Sequence, residues 1–162
     1  MSEGVKALLG RLGSLVPFYA GYTDREKRRE SDQALRLVVA ARLGSARAAL
    51  DRRTADCART SRFDLLDPLD ALSRRVGTLA DAVRHAPAGY SALFDAATVG
   101  AAELDRLYAL DLEVREACER LVEEAERLPA AFDGGALEKA SGAASEAEAA
   151  LNRRSEALRE VK

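Results

Sequence analysis

The sequence predicts an all-α fold: an up-down-up-down four-helix-bundle-like domain with a long second helix and a short amphipathic helix at its N-terminus. Three observations lead there. The 162 residues are 48% apolar and 32% charged, with Ala, Leu, Glu and Arg, all good helix formers, in abundance. Trp and Ile are missing and aromatic residues are 5%, so the chain is poor in the material that builds sheets. Apolar residues recur at spacings of three and four, and no run alternates with the period of a strand.

The first segment, Ser2 to Val16, carries Val5, Leu8, Leu9, Leu12, Leu15 and Val16 on one helical face. Gly4, Gly10 and Gly13 weaken it, and Pro17 ends it. The second segment opens at Thr23, which with Glu26 reads as a capping box. Leu35, Val39, Leu43, Ala46, Leu50 and Cys57 form its apolar face. Run to Thr60, it would span about 57 Å. The chain then divides into an N-terminal helix with an aromatic junction, 1–22, and a bundle domain, 23–162.

Asp67 followed by Pro68 signals the start of the third helix, and Pro87 and Gly89 stop it. Leu65, Leu69, Leu72, Val76, Leu79 and Val83 give it the cleanest heptad of the chain, a coiled-coil-like pattern. A short helical piece over Ser91 to Ala97 precedes the fourth helix, Gly100 to Leu128. The seam of that helix includes Leu104, Leu107, Asp111, Val114, Cys118 and Leu121, and Pro129 ends it. The fifth segment, from Asp133 onward, has a thin stripe rich in Ala: Leu137, Ala140, Ala144, Ala147, Leu151, Leu158 and Val161.

Asp111 is the most informative residue, because a lone carboxylate inside an apolar seam is costly. Aligning the midpoints of the second and fourth helices brings Arg42 level with it. A partly buried Arg42–Asp111 pair is expected, or a tyrosine as the partner of Asp111.

Enzyme chemistry finds no constellation. A di-iron bundle needs paired Glu-x-x-His motifs, but the one His, His85, follows Ala82 by three positions. Cys57 and Cys118 fall on apolar faces and read as buried thiols. The Gly134-Gly135 pair lacks the Lys and Ser or Thr of a phosphate loop. No catalytic residue, cofactor or metal ligand is expected.

An internal echo points instead to contacts. Ala20-Gly-Tyr22 and Ala88-Gly-Tyr90 each precede a candidate helix cap. In the expected topology both lie at one end, gathering Phe18, Tyr19, Tyr22, Tyr90 and Phe94 as a core plug or an aromatic docking patch. Beside them stands the basic start of the second helix, with Arg25, Arg28 and Arg29.

The net charge of −2 conceals a chain of two halves. Residues 23–62 hold 11 basic and 6 acidic side chains, and residues 100–150 hold 5 basic and 13 acidic ones. Charges so arranged can pair within the chain or with another copy. The expected function is a non-enzymatic interaction or scaffold protein, partnered by a protein or by itself. The alternative is peripheral binding to an anionic membrane through the first helix and the basic start of the second. Nucleic acid is not expected, since no aromatic residues interleave with the basic run. No run is long enough to span a membrane and no signal peptide is evident, so a cytoplasmic location, with peripheral membrane contact as the variant, is the expectation.

The stretch Pro17 to Arg36 resembles a Gly-Tyr…Lys-Glu…Arg-Arg-Glu…Asp…Leu-Arg pattern. Gly89-Tyr-Ser-Ala-Leu-Phe-Asp95 with Leu104-Asp-Arg-Leu-Tyr-Ala-Leu-Asp111 resembles a second one. Together they are similar to a family of uncharacterised all-helical bacterial proteins. That resemblance covers about a third of the chain and implies no activity, only attention to the Gly-Tyr junctions and Asp111.

Overall fold

The computed structural model describes residues 3–24, 26–85, 99–129 and 134–160. Among the described residues five helices pack together: α1 (Glu3–Leu15), α2 (Arg28–Arg59), α3 (Leu66–His85), α4 (Ala101–Arg127) and α5 (Gly134–Glu160). A single 3-10 turn, Phe63–Leu65, leads directly into α3. No strand occurs among the described residues.

Each helix buries the face that its periodicity marks. On α2, Leu35, Val39, Leu43, Ala46, Leu50 and Cys57 are all buried. The α4 seam is buried over its whole length, Asp111 included. Leu43, Leu50, Leu69 and Leu121 are fully enclosed, each contributing about 2 kcal/mol by leaving water. On α5 the buried side chains are mostly alanines, which let α5 lie close against α4 at little cost in side-chain entropy.

Packing runs in the order α3, α2, α4, α5, with α1 laid on α4 and only a light contact closing α3 onto α5. Consecutive helices are thus neighbours for α2/α3 and α4/α5, whereas α2 stands beside both α3 and α4. Polar contacts fix the directions. Ser73 reaches Asp51 between antiparallel α3 and α2, and Arg106–Glu160 and Arg153–Glu113 join antiparallel α4 and α5. Arg75 forks onto Glu148 at 2.6 and 2.8 Å to hold α3 to α5. That guanidinium, by its hydrogen bonds, keeps the Glu148 carboxyl below its ordinary pKa.

The start of α2 differs from its sequence signal. Thr23 and Glu26 do not cap α2, which begins only at Arg28. Asp24 instead closes a local turn, its Oδ1 accepting the Glu26 amide at 3.0 Å. The residues before Arg28 are held by side chains from three helices, and those contacts outweigh the local cap. The carboxylate return of a capping box appears at α4, where Glu103 accepts the Gly100 amide at 2.8 Å.

Candidate functional site

The connection from α1 to α2 turns sharply twice. Phe18 sits at φ 66° and Gly21 at φ 83°. Between them the chain throws Phe18 outward, 91% exposed, while Tyr19 and Tyr22 enter the core at 8% and 0%. Gly21 has a steric reason as well. A Cβ there would lie 2.7 Å from the Tyr108 hydroxyl and 3.0 Å from Leu9, and left-handed backbone disfavours any side chain. Gly21→Ala is therefore expected to destabilise the fold by more than about 2 kcal/mol. A urea melt reads this, and an unchanged midpoint would refute the close approach.

The turn is bolted from both sides. The Ser31 hydroxyl donates to the Gly21 carbonyl and accepts the Ala20 amide, each at 3.1 Å. The Tyr22 amide donates to the Tyr108 hydroxyl at 2.9 Å. Buried Arg28 donates through Nε to the Tyr22 carbonyl at 2.9 Å. Tyr22 and Tyr108 stack with centroids 5.7 Å apart, and Tyr19 meets both edge-on.

Beneath these rings lies an ionic chain. Asp111 Oδ2 accepts the hydroxyls of Tyr19 and Tyr22, the latter at 2.6 Å. Its Oδ1 accepts Arg154 Nε at 2.6 Å. The same guanidinium donates to the Tyr22 hydroxyl at 2.9 Å and to Asp32 Oδ1 at 2.7 Å. Asp32 Oδ2 accepts Arg36 Nε at 2.9 Å. Two carboxylates and two guanidiniums alternate, so their formal charges cancel. Both Asp111 oxygens are satisfied, which is what makes a fully buried carboxylate tolerable.

Burial, then the charge of Asp111, pushes the Tyr19 and Tyr22 hydroxyls far above the ordinary tyrosine pKa. Burial also raises Tyr108. Burial works against the charge on Arg154, yet Asp111, Tyr22 and Asp32 together hold it well above its usual value. Asp111, Tyr22 and Tyr108 are each 0% exposed. The arrangement ties four segments together: the α1–α2 turn, α2, α4 and α5.

Several expected site residues are placed differently. Arg42 pairs with Glu119, which Arg115 also holds, and not with Asp111. Midpoint alignment assumes flush helix ends. The helices are staggered, so Asp32 stands level with Asp111 and Arg42 lies level with Glu119, about two turns further along. Asp111 takes tyrosine partners and an arginine from α5. Tyr19 and Tyr22 are not surface contacts, because their hydroxyls are needed at Asp111. Arg28 is buried in the turn, and Arg29 is exposed. Among the described residues Asp24, Glu26, Lys27, Arg29 and Glu30 are exposed there, so charges of both signs stand at the start of α2. Arg25, Tyr90 and Phe94, and the Ser91–Ala97 piece, lie outside the described residues.

Sequence reasoning missed Arg154, Asp32 and Tyr108. Arg154 had a signal, since it follows Ala147 and Leu151 at core spacing and so interrupts an apolar stripe as Asp111 does. Asp32 likewise stands three before Leu35.

Cys57 and Cys118 are buried, and burial pushes the Cys118 thiol up to about 12. Among the described residues no group of His, Cys, Asp or Glu is placed to hold a metal. Among the described residues no helix is long and apolar enough to cross a membrane. The apolar face of α1 is turned inward, with Val5 and Leu12 buried as α1 packs on α4. Compared with family models, curated proteins and solved structures, the chain matches none.

Proposed function

We propose that this chain is a non-enzymatic helical interaction protein, a scaffold of up-down-up-down type that associates with itself. Phe18 carries the reading. A non-glycine residue at φ 66° is held in a sparsely populated conformation, and a phenylalanine 91% exposed gains nothing from burial within its own chain. Both costs fall on one residue. They are recovered when another surface covers the ring. Leu37, 55% exposed, stands in the same shallow groove of about 560 Å³, with Pro17, Ala34 and Val38. The buried ionic chain supports the reading from the other side. It holds the turn rigidly, so the displayed ring is pre-organised and loses little entropy on docking.

Sedimentation velocity and light scattering over a concentration series test this. The native chain is expected at twice the chain mass. Phe18→Ser, at a ring 91% exposed, is expected to weaken the association by about tenfold or more. A strict monomer at the highest concentration refutes the proposal.

A further inference from the structure

A single tight turn links α1 to the rest of the chain. The Tyr19 amide donates to the Val16 carbonyl at 3.2 Å, closing four residues: Val16, Pro17, Phe18 and Tyr19. Pro17 stands second in the turn, and Phe18, at φ 66°, stands third. This is the pattern of a type II turn, whose third residue is ordinarily glycine or asparagine because its φ must be positive. Phenylalanine in that place is strained.

The helix on the far side of this turn is lightly held. It packs on α4 and on no other helix to a comparable extent. Its buried side chains are Val5 and Leu12. Arg11 pairs with Glu116 of α4 at 2.5 Å, the two side chains 60% and 37% exposed. The buried ionic chain grips the connection only from Tyr19 onward, through the hydroxyls of Tyr19 and Tyr22. The strained turn therefore lies between a fixed core and a helix with one main neighbour. Short connections under strain favour exchange of the element they hold.

Resting on the self-association reading, we propose that two copies exchange α1: the Val16–Tyr19 turn opens, and the α1 of each copy lies on the α4 of the other about a two-fold axis. No new surface is needed. The contacts that α1 makes with α4 within one chain are remade between two, Arg11–Glu116 included. Opening frees Phe18 from its positive φ, while Tyr19 keeps its hold on Asp111. The extended segment from Val16 to Tyr19 spans about 10 Å. It starts at one copy's Tyr19 and ends beside the other's, because Val16 and Tyr19 adjoin in the closed turn. The two opened segments therefore run side by side. Their Phe18 rings, exposed in the single chain, meet there and leave water. A second copy is preferred over another protein because this chain's own α1 already fits this face of α4.

Arg11→Cys combined with Glu116→Cys puts one thiol on α1 and one on α4, while Cys57 and Cys118 stay buried. A short bismaleimide is added at a concentration where sedimentation shows dimers. Position 11 of one chain is expected to join position 116 of another, giving a covalent dimer on a denaturing gel, with the link mapped by peptide mass. Links confined to single chains within a dimer overturn the exchange while self-association stands. A strict monomer overturns both readings. Arg11→Glu chains refolded together with Glu116→Arg chains give an independent measure. Under exchange, only a mixed dimer sets opposite charges at both α1–α4 contacts. Mixed dimers are therefore expected to exceed the statistical half in native mass spectrometry at low salt, and a statistical half overturns the exchange. Phe18→Gly, which suits the closed turn, is expected to dimerise about tenfold more weakly than Phe18→Ser; equal strength overturns the part given to strain. Circular dichroism checks that each variant keeps its helices.

Discussion

Asp111→Ala is expected to lose about 3–5 kcal/mol of folding stability, the range seen when one partner of a buried ion pair is removed. The substitution leaves Arg154 buried with only Asp32 and the Tyr22 hydroxyl near it. It also deprives the hydroxyls of Tyr19 and Tyr22 of their shared acceptor. Each orphaned donor adds a desolvation penalty of about 1–3 kcal/mol where water cannot enter. Domains of this size are stable by only about 5–15 kcal/mol, so the variant approaches unfolding at room temperature. Asp111→Asn gives a measurable intermediate. It keeps one acceptor oxygen and loses the charge, and it is expected to fall between wild type and alanine in a denaturant melt. Arg154→Met combined with Asp111→Asn is expected to cost less than the two single losses added, since neither then faces an unpaired charge. Additive losses would show that the two residues do not act as one unit.

A steep alkaline transition is the second large effect. Tyr19 and Tyr22 have folded-state pKa values raised far above the ordinary tyrosine value, first by burial and then by Asp111, and burial raises Tyr108 as well. A group whose pKa is higher in the folded state gives stability that is complete below its unfolded value. That stability is lost as pH rises above it. Below about pH 10 all three contributions are therefore intact, and above it the unfolded state alone releases protons. Tyr19 and Tyr22 then each remove about 1.4 kcal/mol per pH unit, or about 3 kcal/mol per pH unit together, and Tyr108 adds in the same direction. Burial of Cys118, raised to about 12, adds in the same direction. Tyrosinate absorbance and helical circular dichroism are expected to change together in one cooperative step. Tyr19→Phe is expected to make that step shallower. Ionisation of these tyrosines near their ordinary value, with helix content unchanged, would refute their burial against Asp111.

These two effects have the same origin. Asp111 was visible in the sequence because it broke an apolar seam, and a charge in a seam demands a partner. Which partner it takes depends on helix stagger. Arg42 has the right charge, yet it lies about two turns from Asp111 along α4, and Glu119 takes it instead. Arg154 is 43 residues from Asp111 and Tyr22 is 89. Sequence spacing carries no information about such distances unless the register between helices is known. The aromatic junction shows the same limit. Gly-Tyr before a polar run suggests a turn, but which ring faces in is set by two positive φ angles, at Phe18 and Gly21. Only Gly21 hints at this in the sequence.

The sequence by itself determined the class of the protein and the faces of its helices. Helix formers, scarce sheet formers and three-four spacing are local properties, and a 3.6-residue period converts them directly into buried and exposed sides. It also determined that Asp111 would be a structural focus. The tertiary structure decided the rest: the order α3, α2, α4, α5, the late start of α2, and the joining of Tyr19, Tyr22, Asp32, Asp111 and Arg154 into one buried unit. The physical reason is that pairing energies between side chains on different helices depend on axial offset to within an ångström or two. Periodicity repeats every turn and leaves that offset free.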